Sequence, residues 1–210
     1  AWEGRAELGL RFDAGNSDRQ DYTVALSASR ALDVWGFEAG IAYAYSEVDE
    51  AVGRDEFEAD ARLERAAGET WTLFAEGDYE RDALSGFEYS ALLTAGAGYR
   101  VYDRPERAWT LRAAPGVRTV KTAAGETLTD PALEFSSDFE WRLAEPVRFT
   151  SDTSALISDS ARAEQTFSLD TALGEVWSLT LRYQYTYEFD PEPGFENGDT
   201  RTDVVLVRLF

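Results

Sequence analysis

The chain contains no cysteine, no histidine and no methionine, and Lys121 is the one lysine among its 20 basic residues. Without cysteine there are neither disulfides nor thiolate metal sites. Without histidine there is no imidazole to serve as a base near neutral pH, which excludes hydrolases built on Ser–His or Asp–His pairs. No run approaches 18 consecutive apolar residues, so no transmembrane helix is encoded. Cations are scarce: 20 bases against 40 acids leave a formal charge of −20. That balance opposes nucleic-acid binding, which needs a basic stripe to replace counterions. The missing methionine carries the expectation of a mature chain whose signal peptide has been removed. A single lysine argues against a designed surface, which usually carries many.

What is present is alternation. In "WSLTLRYQYTYEF" (177–189) every odd position is large and apolar or aromatic and every even one is polar. Strict alternation of this length is a strand pattern. Twelve such runs lie near 2–12, 20–31, 34–47, 55–65, 70–81, 87–101, 108–121, 128–142, 146–158, 164–174, 176–189 and 200–210. The breaks between them carry turn residues, as in "DAGNSDR", "AAGE", "YDRPER" and "DPEPGFENGD". No linker or change of composition divides the chain, so residues 1–210 are expected to form one domain. The apolar phase is almost free of charge. It is weakest in runs nine and ten, where Ser151, Thr153 and Thr171 fall on it.

Alternation leaves open which face is inside: aromatic in a soluble sandwich, charged in a membrane barrel. The tryptophans discriminate. In an up-and-down meander Trp2, Trp35, Trp71, Trp109, Trp141 and Trp177 all fall at one end, and Tyr22, Tyr45, Tyr79, Tyr89, Tyr187 and Phe189 at the other. Two aromatic rings flanking a band of Leu, Ala, Val and Ile match the girdles of a membrane barrel. The mean hydropathy of −0.39 fits, because half of each strand would face a polar interior. The even strand number, the short turns at the Trp end and the aromatic C-terminus agree. The expected fold is therefore all-β: a closed antiparallel up-and-down transmembrane β-barrel of 12 strands, with the six tryptophans as its periplasmic aromatic girdle. Pro115 and Pro131 cannot donate ladder bonds, so bulges or breaks are expected there.

The opening "WEGRAELGLRFDAGNSD", the middle "FAEGDYERDALSGFEYSALLTAGAGYR" with "APGVR", and the closing "DTRTDVVLVRLF" resemble the salt-induced outer-membrane protein family, YdiY-like, of domain of unknown function 481. The resemblance spans nearly the whole chain. It implies a fold and a location in the Gram-negative outer membrane rather than a chemical activity. Arg208 departs from the pattern, standing where an outward apolar residue is expected. Because Val205, Val207 and Leu209 are also apolar, both phases of the last strand remain open.

On the inward phase the alternation places Arg5, Glu7, Arg11, Glu58, Asp60, Arg62, Glu76, Asp78, Arg100, Arg112, Arg118, Glu134, Asp138, Asp152, Asp170, Arg182 and Glu188. Mixed signs at this density predict cross-strand salt bridges in a polar lumen. Twelve strands at about 4.8 Å spacing and about 40° tilt enclose roughly 24 Å, which side chains narrow to ~10 Å or less. A narrow cation-preferring passage is expected beside the small residues Gly36, Gly40, Ala42, Ala44, Gly96 and Gly98. The alternatives are a closed structural barrel without transport, and a soluble β-protein binding an apolar ligand. No catalytic residues and no cofactor are expected. The expected partners are membrane lipids and lipopolysaccharide. The acidic loops "SEVDEAVGRDEFE" and "DPEPGFENGD" fit a solvated rim better than a site for divalent cations, since neither has calcium-loop spacing.

Overall fold

The computed structural model describes residues 1–210 except 14–18, 49–50, 83, 85–86, 160, 190–196 and 210. Twelve strands follow in order: β1 (Glu3–Asp13), β2 (Arg19–Leu32), β3 (Trp35–Val48), β4 (Ala51–Ala67), β5 (Trp71–Asp82), β6 (Phe87–Arg104), β7 (Arg107–Thr122), β8 (Thr127–Ala144), β9 (Val147–Ile157), β10 (Arg162–Ala172), β11 (Trp177–Glu188) and β12 (Gly198–Leu209). Each pairs antiparallel with its chain neighbours, and β1 pairs with β12 to close the barrel. The expectation that Phe210 lies in the last strand falls outside the described residues.

Pairing places every strand's apolar phase outside. Leu8, Ile41, Leu73, Leu133, Leu179 and Leu181 are all exposed, whereas the alternate positions are mostly buried or half-buried. An apolar exterior with its backbone bonds closed around a ring satisfies a lipid environment, where an open edge would strand polar groups. The weak outward phase of β9 and β10 is satisfied locally. The Thr153 hydroxyl donates to Gln165 Oε1 at 2.6 Å, and the Gln165 amide donates to Ser151 Oγ at 3.1 Å.

Tight turns join the strands at the Trp end: 33–34, 68–70, 105–106, 145–146 and 173–176. Asp33 and Gly68 sit there at φ 52° and 89°, the left-handed conformation such reversals require. The longest connection, 189–197, is at the other end. Register shifts occur at Ser46/Glu47, Phe87/Tyr89, Arg100/Tyr102 and Arg142/Ala144. The third reverses the phase of β6, so that Tyr102 turns outward and its ring lies 5.9 Å from that of Trp109. The expectation of a bulge or break is met at Pro115 and not at Pro131. Pro131 pairs in register with Val117 and makes no bulge; at Pro115 the β6–β7 ladder is interrupted between Thr94↔Gly116 and Ala97↔Ala113 without a change of register, while β8 pairs across unbroken.

The closing strand has two apolar faces. Val204 is 61% exposed, while Val205 and Val207 are 1% and 0% exposed. Inward Val205 and Val207 settle the phase, and Arg208 faces outward over the Trp177 ring. The β1–β12 ladder runs only from Arg5↔Leu209 to Leu8↔Leu206, whereas β1–β2 is paired from Glu3↔Ser29 to Asp13↔Arg19.

Candidate functional site: the lumen

Alternation aims one side chain in two from each strand into the barrel. Their sizes decide whether the space fills. Among the inward residues Thr72, Phe74, Ala114, Thr180, Val205 and Val207 are buried. A polar cavity of about 870 Å³ occupies the lumen. Thirteen carboxylates and eight arginines line it.

Of the residues expected at the lumen, Arg5, Glu7, Glu58, Asp60, Arg62, Glu76, Asp78, Arg118, Glu134, Asp152, Asp170 and Arg182 line this cavity. Arg100, Arg112, Asp138 and Glu188 do not. Arg112 lies 3.5 Å from Glu64 and is ion-paired with Asp138, and Arg100 reaches Glu64 at 3.8 Å and Asp103 at 3.5 Å. The Arg11 side chain lies outside the described residues. Arg54, Glu56, Glu80, Arg162 and Glu164 also line the cavity, although the expected set omits them. Arg54 and Arg162 lie just before the expected starts of their strands. The signal that reveals them is the uninterrupted inward phase of β4, β5 and β10.

Salt bridges bind the wall. Arg62 holds Glu76 through two bonds of 2.9 and 2.8 Å between β4 and β5. Arg162 on β10 crosses the lumen to Glu80 on β5 at 3.1 Å. The short closing ladder is strapped from within: Arg182 on β11 reaches over β12 to Glu7 at 3.1 Å, and Arg201 on β12 reaches over β1 to Thr23 Oγ1 at 3.3 Å. Glu7 also accepts from Arg5 at 2.7 Å. Asp170 receives the Thr180 hydroxyl and Arg148 at 3.4 Å.

One part of the wall lacks such compensation. On β4 and β5, Glu58 stands directly opposite Glu80 and Asp60 directly opposite Asp78. Like charges in direct register repel. Glu80 has Arg162, but among the described residues Glu58, Asp60 and Asp78 have no cation within ion-pair distance. A third such rung, Asp138 opposite Asp152, lies on β8 and β9.

The expected passage beside small residues is corrected. Ala42 and Ala44 do line the cavity. The room above the glycines, however, is taken. A Cβ at Gly40 would stand 2.6 Å from the Asp60 carboxylate and one at Gly98 2.5 Å from Thr72 Oγ1, and one at Gly96 would collide with the Ala113 carbonyl. These glycines admit neighbouring strands and side chains; they do not leave a channel. Near Gly36 the Glu64 Cβ lies at the edge of contact, 4.0 Å away.

All six tryptophans sit at one end as expected. Five are exposed on the outer surface, and Trp109 donates its indole N–H to Ser137 Oγ at 2.9 Å. At the opposite end Tyr79 stacks on Tyr89 and Tyr187 meets Phe189 edge-on. Parts of both acidic loops fall outside the described residues, and among the described residues no carboxylate cluster has metal-site geometry.

Three solved structures share this architecture. The NanC porin superposes with a TM-score of 0.61 at 11% identity, covering 100% of both chains. The translocator domain of autotransporter NalP from Neisseria meningitidis gives 0.56 at 13%, covering 100% of this chain and 87% of that one. A KdgM porin in complex with disordered oligogalacturonate gives 0.53 at 10%, covering 99% of each. At such identities the likeness is one of fold, and the fold is that of outer-membrane β-barrels. No curated protein matches the chain. The family described as protein of unknown function, DUF481, matches residues 6–210.

Proposed function

The chain belongs to the DUF481 family, and we propose that it is a narrow barrel of the Gram-negative outer membrane whose lumen admits small cations, with the Trp end in the periplasmic leaflet. The observation that carries this reading is the pair of carboxylate rungs, Glu58–Glu80 and Asp60–Asp78, on the cavity wall. Three of the four, Glu58, Asp60 and Asp78, have no cation within ion-pair distance among the described residues, and such carboxylates inside a low-dielectric wall concentrate cations and repel anions. A polyanionic cargo such as the oligogalacturonate of the KdgM complex is not carried over, because carboxylates outnumber arginines in this cavity. No catalytic step belongs to the reading.

A second reading has its own support. The buried inward residues Phe74, Thr72, Val205 and Val207 narrow the lumen, as in a structural barrel without transport. Planar-bilayer recording in a KCl gradient separates the two. The channel reading expects a small conductance with a reversal potential indicating K⁺ over Cl⁻. Silent membranes holding correctly folded protein would establish the closed barrel, and a Cl⁻-selective current would show that the arginines govern the passage.

A further inference from the structure

The outer surface at the Trp end repeats one two-residue device. Arg30 lies over the Trp2 ring at 5.5 Å, Arg65 over Trp35 at 5.4 Å, Arg107 over Trp141 at 4.6 Å and Arg208 over Trp177 at 5.6 Å. Three of these pairs are direct cross-strand partners: Trp35↔Arg65, Arg107↔Trp141 and Trp177↔Arg208. Trp2 and Arg30 continue the register one rung beyond Glu3↔Ser29. The unit therefore recurs at β1/β2, β3/β4, β7/β8 and β11/β12. Each guanidinium carbon lies over an aromatic ring within cation–π range, an attraction that holds the charge at the ring while its N–H donors can still serve a ligand.

Their charge is not neutralised. Inside the barrel Arg5, Arg62, Arg148, Arg162 and Arg182 each reach a carboxylate, in a chain with 40 acids. Among the described residues, none of the four girdle arginines has a carboxylate within 4 Å, and Arg30 Nε is buried without a hydrogen-bond partner. At the Tyr end the outward polar groups have the opposite character. Tyr43 donates to Asp55 at 3.1 Å, Tyr45 donates to Glu47 at 2.9 Å, and Lys121 is neutralised by Glu88 at 2.6 Å.

We infer that the four Arg–Trp pairs are headgroup sites for anionic glycerophospholipid in the periplasmic leaflet, each guanidinium edge taking the phosphodiester oxygens. A planar fork of N–H donors matches two phosphate oxygens, and an indole at headgroup depth packs the glycerol and upper acyl region. The pairs favour a net-negative lipid over a zwitterionic one for two reasons. Among the described residues no carboxylate lies within 4 Å of these guanidinium groups, and the aromatic face that would accept a choline already carries a guanidinium. This inference rests on the membrane reading above.

The test is native mass spectrometry of the refolded barrel in micelles doped with equal amounts of phosphatidylglycerol and phosphatidylcholine, with folding checked by heat-modifiable gel mobility. The parent protein is expected to retain up to four phosphatidylglycerols in several-fold preference to phosphatidylcholine. The combined R30Q/R65Q/R107Q/R208Q variant should lose that preference, the single R65Q and R208Q variants should each lose about one bound lipid, and the four-lysine variant should keep part of it. Equal retention of the two lipids by folded parent protein, or undiminished preference in folded glutamine variants, overturns the inference and leaves the barrel reading standing. Displacement of phosphatidylglycerol by lipopolysaccharide at the same four positions overturns the assignment to the periplasmic leaflet. Failure of the parent to fold in any micelle or vesicle removes the membrane reading and the inference together.

Discussion

Two kinds of inward position in the lumen are built from the same alternation and come out as opposites. Inward Thr72, Phe74, Ala114, Thr180, Val205 and Val207 are buried, and Glu64, Glu134, Asp170 and Glu7 stand directly opposite Phe74, Ala114, Thr180 and Val207. Other inward positions hold Arg and Asp or Glu, whose charges cannot be packed dry and whose salt bridges brace a cavity of about 870 Å³. An isolated charge in an apolar medium is costly, so charged lining keeps the space hydrated. In this barrel of twelve strands side-chain chemistry decides, position by position, between buried contact and cavity.

Removing the bulk of a buried lumen residue should have the largest effect. Phe74→Ala is expected to cost about 3–5 kcal/mol in urea unfolding from vesicles, and to raise single-channel conductance if Phe74 lies at the constriction. A stable variant with unchanged conductance would show that Phe74 neither packs the lumen nor limits flow. Next comes the exterior wall. Leu181→Arg should cost about 2–4 kcal/mol, because the side chain faces lipid, and should depress insertion into vesicles. The control is Gln184→Arg, which points into the cavity and should cost less. Thr180 is unsuitable as a lumen control: it lies on the inward phase but is 1% exposed against Asp170. Equal insertion of the two arginine variants would remove the distinction between the faces.

Glu7→Gln tests the strap over the short closing ladder. It weakens the bonds from both Arg5 and Arg182 and should cost about 1–3 kcal/mol, read as a lower urea midpoint. No loss would mean that the β1–β12 backbone ladder suffices. The smallest change in stability is expected where charge is least compensated. Asp60→Asn with Asp78→Asn removes a like-charge rung and should stabilise the barrel by about 0.2–1 kcal/mol. The same pair should lower K⁺-over-Cl⁻ preference, and unchanged selectivity in a conducting barrel would locate the filter elsewhere.

Strand number, strand order and the outward face were legible in the residues because each depends on local information. A period of two, broken by Gly, Pro, Asn and Asp, marks a strand and its ends wherever it occurs. The tryptophan positions then oriented the meander, since in an up-and-down barrel chain order alone assigns each residue to an end. Boundaries were less secure. Arg54 and Arg162 lay before the expected strand starts, and the phase reversal at Arg100/Tyr102 came from a bulge that alternation does not announce.

What the chain determined by itself is a closed wall with an apolar outside and a charged inside, because side-chain phase follows from backbone geometry residue by residue. Which carboxylates face each other, that Arg162 meets Glu80 across the lumen, and that the glycine positions are filled by Asp60 and Thr72 were decided only in the tertiary structure. So was the outward Arg208 with both inward valines buried beside it. These features depend on register and tilt, which bring together residues far apart in sequence. They depend also on the summed volume of side chains from opposite walls, and no single strand carries that sum.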